Sequence, residues 1–345
     1  MCQAFAADSL RIAFFHTELS RDGPGLLLRD ILSGEDAQVE AVTSVIRAAR
    51  PDVLVLAGID WDLEGHALAA LADRIGGYPH RFSARPNRGV HSGLDLDGDG
   101  RPGGPDDAFG YAEFPGQEGL AVLSKWPVDA GRVQDFTALD WRDFPGALLP
   151  AGDDPAGRLS TTGHWVVPVM LPDGQGLSLL VWHATPPVFD GPEDRNGRRN
   201  HDETAFWLWY LDGAFGPVPE RFVLAGAANL DPVDGDGRPE ALAALLGDPR
   251  VVDTAPRSAG ALRADAKDGG VNRGQRGDPA LDTADWPDEE GKPGNLRVDY
   301  VLPSAGLRVT GAGVFWPAPD ALLGGDVELA SRHRLVWVDI ALDAE

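Results

Sequence analysis

Residues 222–229 read Phe222-Val223-Leu224-Ala225-Gly226-Ala227-Ala228-Asn229, a short uninterrupted apolar run that ends on a polar residue and reads as a central β-strand. Alternation or β-branched enrichment predicts further strands at residues 10–16, 53–57, 120–124, 165–171, 177–183, 298–302, 307–315 and 335–342. Between them, residues 36–49 carry Val39, Val42, Val45, Ile46 and Ala49 on one helical face and stop before Pro51, so an amphipathic helix leads into the strand at 53. Further helices fit residues 64–75, 201–211 and 239–246. The helices are scattered among the strands without a regular βαβ alternation. That pattern predicts an α/β fold of two mostly antiparallel sheets with helices outside, rather than a doubly wound parallel sheet. Long Gly/Pro/Asp loops are expected at 87–109, 186–200 and 263–294, and loops of that length inside a compact domain are usually functional.

The 345 residues, 43% hydrophobic, suffice for one large domain, expected over 10–345 behind a short tail at 1–9. No apolar window is long enough to predict a membrane-spanning helix. Thirty Lys and Arg against 54 Asp and Glu give a formal net charge of −24, a field that repels phosphate backbones and argues against free nucleic acid as a partner. Cys2 is the sole cysteine, which excludes an intramolecular disulfide. Its place directly after Met1 fits either a frayed terminus or the first residue of a processed lipoprotein carrying a lipid anchor.

The acidic residues recur in short loops. Asp95, Asp97, Asp99, Arg101 and Asp106, with Gly100 at position six, follow the oxygen-ligand spacing of a Ca²⁺ loop. Asp106 replaces the usual bidentate Glu and no helix pair flanks the loop, so a solvated turn is the competing reading. Asp231, Asp234 and Asp236 form a weaker echo of the same pattern. Arg195, Arg198 and Arg199 could receive phosphate or carboxylate groups, or simply form salt bridges within an acidic protein.

Several stretches together resemble secreted bacterial proteins of the endonuclease/exonuclease/phosphatase (DNase I-like) superfamily. These are residues 92–100, 114–117, 144–147, 185–196 and 296–303, and the closing His333-Arg334-Leu335-Val336-Trp337. The resemblance implies a four-layer α/β sandwich. It also implies phosphoester chemistry that needs divalent cations on acidic ligands, a carboxylate-activated water and histidines around the phosphoryl group. Matched residue by residue, the family pattern is eroded here. His16 stands where the family has a metal-holding Asn, and Gly58 where it has the metal-binding Glu. Gly226-Ala227-Ala228-Asn229 keeps the Asn of the Gly-Asp-x-Asn motif but has Ala227 in place of the water-activating Asp. Ser331-Arg332-His333 keeps the His but puts Arg332 where an Asp would orient it, and Glu118 replaces a Tyr. His183, Asn229, Asp299 and His333 survive as site remnants.

The resemblance therefore implies a catalytically degenerate phosphoesterase-fold protein that binds a small ligand, metal or protein partner in the former active-site cleft. The ligand-binding candidates are His16, Glu118, His183, Asn229, Asp299 and His333. Three histidines with a carboxylate suit Zn, Cu or Fe rather than Mg²⁺. Two alternatives are a phosphoesterase with a rebuilt metal site and a surface protein held rigid by Ca²⁺. An exported protein, whether extracellular, periplasmic or on the cell surface, is expected from the secreted type.

Overall fold

A computed structural model describes residues 9–151 and 157–342; Cys2 and the lipid anchor considered for it lie outside the described residues. The first sheet is built from β1 (Ser9–Leu19), β2 (Val53–Ile59), β3 (His80–Phe82), β4 (Gly119–Ser124), β12 (Val309–Phe315) and β13 (Leu335–Ala341), in the spatial order β12-β13-β1-β2-β4-β3. The second contains β5 (Gln134–Asp135), β6 (His164–Met170), β7 (Gly176–His183), β8 (Phe222–Ala227) and β11 (Asp299–Pro303), in the order β11-β8-β7-β6-β5. A two-stranded ribbon joins β9 (Ala284–Asp285) to β10 (Asn295–Leu296).

Each large sheet is antiparallel except for one central pair, β1 with β2 and β7 with β8. Every residue of β2 and of β8 is buried, as expected for strands covered on both faces. The inner faces of the two sheets share one core. Phe14 and Leu56 from one sheet belong to it with Trp165, Val181 and Val223 from the other. Behind the first sheet, α2 (Ala37–Ala49) and α7 (Gly324–Ala330) pack on each other and belong to the same core. Behind the second, α4 (Arg195–Leu211) and α5 (Glu240–Leu246) form a separate aromatic core with Trp182, Phe206, Trp207, Tyr210 and Tyr300. Helix, sheet, sheet and helix make four layers, as the sequence predicts. Among the described residues no helix is long and apolar enough to cross a membrane.

Several elements depart from the sequence reading. Helix α4 starts at Arg195 rather than near 201, because its first turns bury polar side chains instead of an apolar stripe. Asn200, Asp202 and Glu203 are fully buried there and hydrogen-bonded. The segment expected to be a loop from 263 includes much of α6 (Ala259–Asp268), whose N-cap Ser258 accepts from Ala261 N at 2.9 Å. Helix α1 (Leu26–Ser33) is a short element between Gly25 and Gly34, both left-handed. Helix α7 opens on two glycines, a poor helical start by propensity, and is held by burial of Val327 and Ala330 against α2.

The facing of the two sheets is testable through Trp165. It is fully buried on β6, meets Phe82 of the other sheet edge to face at 5.3 Å between ring centroids, and donates Nε1 to Thr137 Oγ1 at 3.0 Å. Trp165→Ala is expected to lower unfolding free energy by about 3–5 kcal/mol in denaturant titrations. A loss under about 1 kcal/mol would contradict this packing.

Candidate functional site

The two parallel pairs end at the same place. His16 on β1 lies opposite Ala57 of β2, and His183 closes β7 opposite Ala227 of β8. The His16 ring meets the His183 ring edge to face at 4.8 Å and stacks on His333 at 4.3 Å. Three imidazoles from both sheets thus converge, all nearly buried.

A bulge produces this geometry on the first sheet. Between His16 and Leu19 the β1 strand carries one residue more than β2 does between Ala57 and Ile59, and the irregularity places Glu18 and Gly58 at left-handed φ values of 51° and 66°. Thr17 Oγ1 donates to the carbonyls of Ala57 and Gly58 at 3.1 and 3.3 Å and pins the bulge. A Cβ added to Gly58 would stand 2.6 Å from His16 Cε1 and 3.0 Å from His16 Nδ1. The imidazole therefore occupies the space into which a side chain at position 58 would grow. On the other sheet, Gly226 is equally constrained, since a Cβ there would lie 2.2 Å from Trp182 O.

The bulge also turns Glu18 toward Arg332. Arg332 Nε donates to Glu18 Oε1 at 2.8 Å, and Arg332 N and Ser331 Oγ donate to Oε2 at 2.7 and 3.1 Å. Burial alone would raise the Glu18 pKa, but these donors and the nearby histidines hold it down at about 2. Arg332 is exposed and does not orient His333. That role falls to Asp299, wholly buried, whose oxygens lie 2.9 and 3.1 Å from His333 Nδ1. Asp299 is placed in turn by β11 pairing with Ala227 of β8, while Thr283 Oγ1 accepts from Val298 N and Asp299 N, both at 3.0 Å. Trp286 closes edge-on against His333 at 5.2 Å.

Glu118 enters from the start of β4. Its Oε2 pairs with Arg88 at 2.9 Å, and Arg88 Nε reaches Thr162 Oγ1 at 3.3 Å, which faces His183 Nδ1 at 3.5 Å. Asn229 donates Nδ2 to Ala184 O at 2.7 Å, so it braces the turn after His183. Burial, followed by the neighbouring imidazoles and Arg88, drives the pKa of His16 and of His183 well below the ordinary histidine value, and both are neutral near pH 7. His16 Nδ1 is sealed from solvent without a partner. Asp60 accepts from Arg21 N at 3.0 Å and Glu118 N at 3.2 Å; burial raises its pKa to about 6.

The six ligand-binding candidates, His16, Glu118, His183, Asn229, Asp299 and His333, are thus gathered at one end of the two facing sheets. Glu18, Arg88, Thr162 and Trp286 belong to it too and carry no motif that would have singled them out. The expectation that His333 lost its orienting carboxylate is corrected, because Asp299 supplies one. Among the described residues, Asp95, Asp97 and Asp99 are the only three acidic, His or Cys side chains whose ligand atoms all lie within 4.8 Å of one another.

That acidic trio is fully exposed, and its oxygens already accept backbone amides, Asp95 from Gly98 and Gly100 and Asp97 from Asp99. Arg101 and Asp106 do not join it. The residue turned inward is Asp107, which accepts from Leu96, Gly103 and Gly104 and closes the loop. In the arginine cluster, Arg199 is buried and donates to the carbonyls of Leu159 and Phe109, at 2.9 and 2.7 Å, while Arg198 donates to Glu193 O. Those two arginines fasten loops.

At the end of β2 the glycine at position 58 lies beneath the His16 imidazole, and Ala227 at the end of β8 carries no side-chain oxygen.

The match to known proteins agrees with this fold. The model of the "Endonuclease/Exonuclease/phosphatase family" matches residues 30–333. No curated protein matches the sequence. Among solved structures, an endonuclease/exonuclease/phosphatase from Beutenbergia cavernae superposes with a TM-score of 0.57 at 20% identity, covering 98% of this chain and 72% of that one. A Bacteroides vulgatus endonuclease/exonuclease/phosphatase gives 0.52 at 13% identity, covering 98% and 100%. Sphingomyelinase C from Streptomyces griseocarneus gives 0.50 at 18%, covering 97% and 100%. With the family model spanning nearly the whole chain over a two-sheet sandwich, this protein belongs to the endonuclease/exonuclease/phosphatase family.

Proposed function

We propose that this chain is a catalytically degenerate member of its family that binds a ligand in the former active-site cleft instead of hydrolysing phosphoesters. The observation that carries the proposal is the His16 ring standing in the space above Gly58. In-line displacement at phosphorus needs charge neutralisation on the transferring oxygens and an oriented water. The cleft offers two buried neutral imidazoles, and its Arg88 and Arg332 are each already paired with a glutamate. What remains suits hydrogen bonding to a polar ligand through ring nitrogens, with Trp286 as an apolar wall. Export and a Ca²⁺ ion on Asp95, Asp97 and Asp99 are further parts of the proposal. They are tested by locating the protein in fractionated cells and by titrating Ca²⁺ against Asp97→Asn.

Purified protein is expected to release product from bis-p-nitrophenyl phosphate, p-nitrophenyl phosphate, DNA or RNA no faster than buffer with Mg²⁺ or Mn²⁺. General acid–base assistance alone is worth about 10²- to 10⁴-fold, so even a partly working site would be seen. Metal-dependent turnover abolished by His183→Ala would reverse the proposal and favour a rebuilt catalytic site.

A second prediction concerns positions 16 and 58 as a unit. Gly58→Glu alone is expected to cost about 2–4 kcal/mol of stability, from the left-handed backbone and the overlap with His16. With His16→Asn added, the cost should fall by about 1 kcal/mol or more in a double-mutant cycle. Additive losses would show that the ring does not fill that space. Restoring Gly58→Glu, Ala227→Asp and Arg332→Asp should recover Mn²⁺ binding only when His16→Asn is included.

A further inference from the structure

The last turns of α6 and the segment that follows them enclose a cavity of about 320 Å³, a volume that suits a small molecule. Its walls include Asp265 and Ala266 of the helix, then Gly269, Asn272, Arg273 and Gln275. Two of these carry opposite charges. Among the described residues neither the Asp265 carboxylate nor the Arg273 guanidinium takes a hydrogen bond or ion pair, with the other or with any third group. The backbone holds them apart. Gly269, just past the end of α6, is left-handed at φ 71°, and a Cβ there would lie 2.8 Å from Arg273 Nη2 and 3.2 Å from Cζ. The guanidinium therefore rests against a bare glycine, while Gly269 N donates to Asp265 O at 3.3 Å, one helical turn back. The two anchor points stand roughly 5 Å apart along the helix, with the cavity beside both. A third wall residue is short of a partner. Asn272, 4% exposed, accepts from Asn295 N at 2.9 Å through Oδ1, yet its Nδ2 has no acceptor. Gln275 Nε2 donates to Asn295 O at 2.7 Å and fastens this wall to β10.

We propose that this cavity binds a small zwitterion of the α-amino acid class, its ammonium group on Asp265 and its carboxylate on Arg273. The lining excludes simpler ligands by charge. A plain anion would face Asp265 inside a protein of net charge −24, and a plain cation, metal ions included, would face Arg273 with a single carboxylate to hold it. An uncharged polyol would leave both ionised groups without a counter-charge. A zwitterion answers both, and its zero net charge escapes the repulsion of the acidic surface. Guanidinium and carboxylate also match in shape, as a planar fork on two oxygens. Asn272 Nδ2 is shielded from bulk water, and a carboxylate drawn to the neighbouring Arg273 brings an acceptor to its side of the cavity. Ala266 and Pro279 complete the walls with apolar surface, so a small or aliphatic side chain is the best fit. The site shares no residue with the histidine cleft, and the inference does not depend on what that cleft does.

The test is isothermal titration of the full chain with each of the twenty common L-amino acids, up to about 10 mM. At least one is expected to bind once per chain with a Kd of about 1 mM or tighter. For the tightest, the methyl ester, which lacks the carboxylate, and the N-acetyl form, which lacks the ammonium, should each bind about 10-fold or more weakly, the effect of losing one charged hydrogen-bonded contact. The variants identify the partners. In Arg273→Gln the free acid and its methyl ester should bind alike, and in Asp265→Asn the free and N-acetyl forms should bind alike. No binding by any of the twenty overturns the proposal. So does binding that neither substitution weakens, or glucose binding that Arg273→Gln leaves unchanged, which would mark a polyol site. Should either variant fail to fold, the ester and N-acetyl series on the unmodified protein decides, and equal affinities across it overturn the proposal.

Discussion

The contact between the His16 ring and the backbone of Gly58 sets the character of the cleft. A glycine at φ 66° leaves a hole on the floor of a fully buried strand end, and holes in a protein interior are costly. An imidazole from the adjacent parallel strand fills it. Once it does so, its Nδ1 is sealed and its protonation is opposed by burial and by His333. A flat neutral ring is then available for His333 to stack on and His183 to meet edge-on. The packing of the three histidines is thus a consequence of one backbone bulge and one missing side chain.

The second sheet contributes by a different device. Its outer helix α4 buries charge to hold loops in place. Glu203 is fully buried and accepts from Thr161 N, Thr161 Oγ1 and Thr185 N at 2.6–2.7 Å, which fixes the segments on both sides of His183. Asp202 accepts from Trp141 Nε1 and Leu148 N, both at 2.6 Å. Burial raises the Glu203 pKa, and the three donors with Arg199 oppose that rise. Such a network is stable only while every member is satisfied. Thr162, next to Thr161, can therefore face His183 and Arg88 from a rigid support.

How much of this was legible in the sequence follows from where each signal lies. Strands such as 53–57 and 222–227 announce themselves because both faces are buried and the residues are uniformly apolar. The start of α4 does not, because its buried face is Asn200, Asp202 and Glu203, which local periodicity reads as surface. The convergence of His16, His183 and His333 was legible only through the family resemblance, since they come from strands far apart in the chain. Glu18 and Arg88 were missed for a physical reason. Their roles depend on a bulge and on a loop crossing the cleft, neither of which leaves a pattern at fixed spacing. The Ca²⁺-like spacing at 95–106 was legible, but the residue that closes the loop was not. Asp107, not Asp106, is the residue whose carboxylate the loop's own amides capture.

The charged side chains around the three histidines fit one another. Arg332 in isolation would put a cation beside buried imidazoles. Here Glu18, brought round by the bulge, accepts from both its side chain and its backbone. Without a carboxylate at position 332, His333 would lack an acceptor for Nδ1–H, yet Asp299 provides two oxygens within 3.1 Å. Glu118 in turn has Arg88. Independent loss of single residues would leave charges stranded in a nearly buried space, where each costs several kcal/mol. Only the Nδ1 of His16 is left sealed and unpartnered among these side chains. Charged groups so nearly all compensated within a buried space hold one another in place by packing and hydrogen bonds.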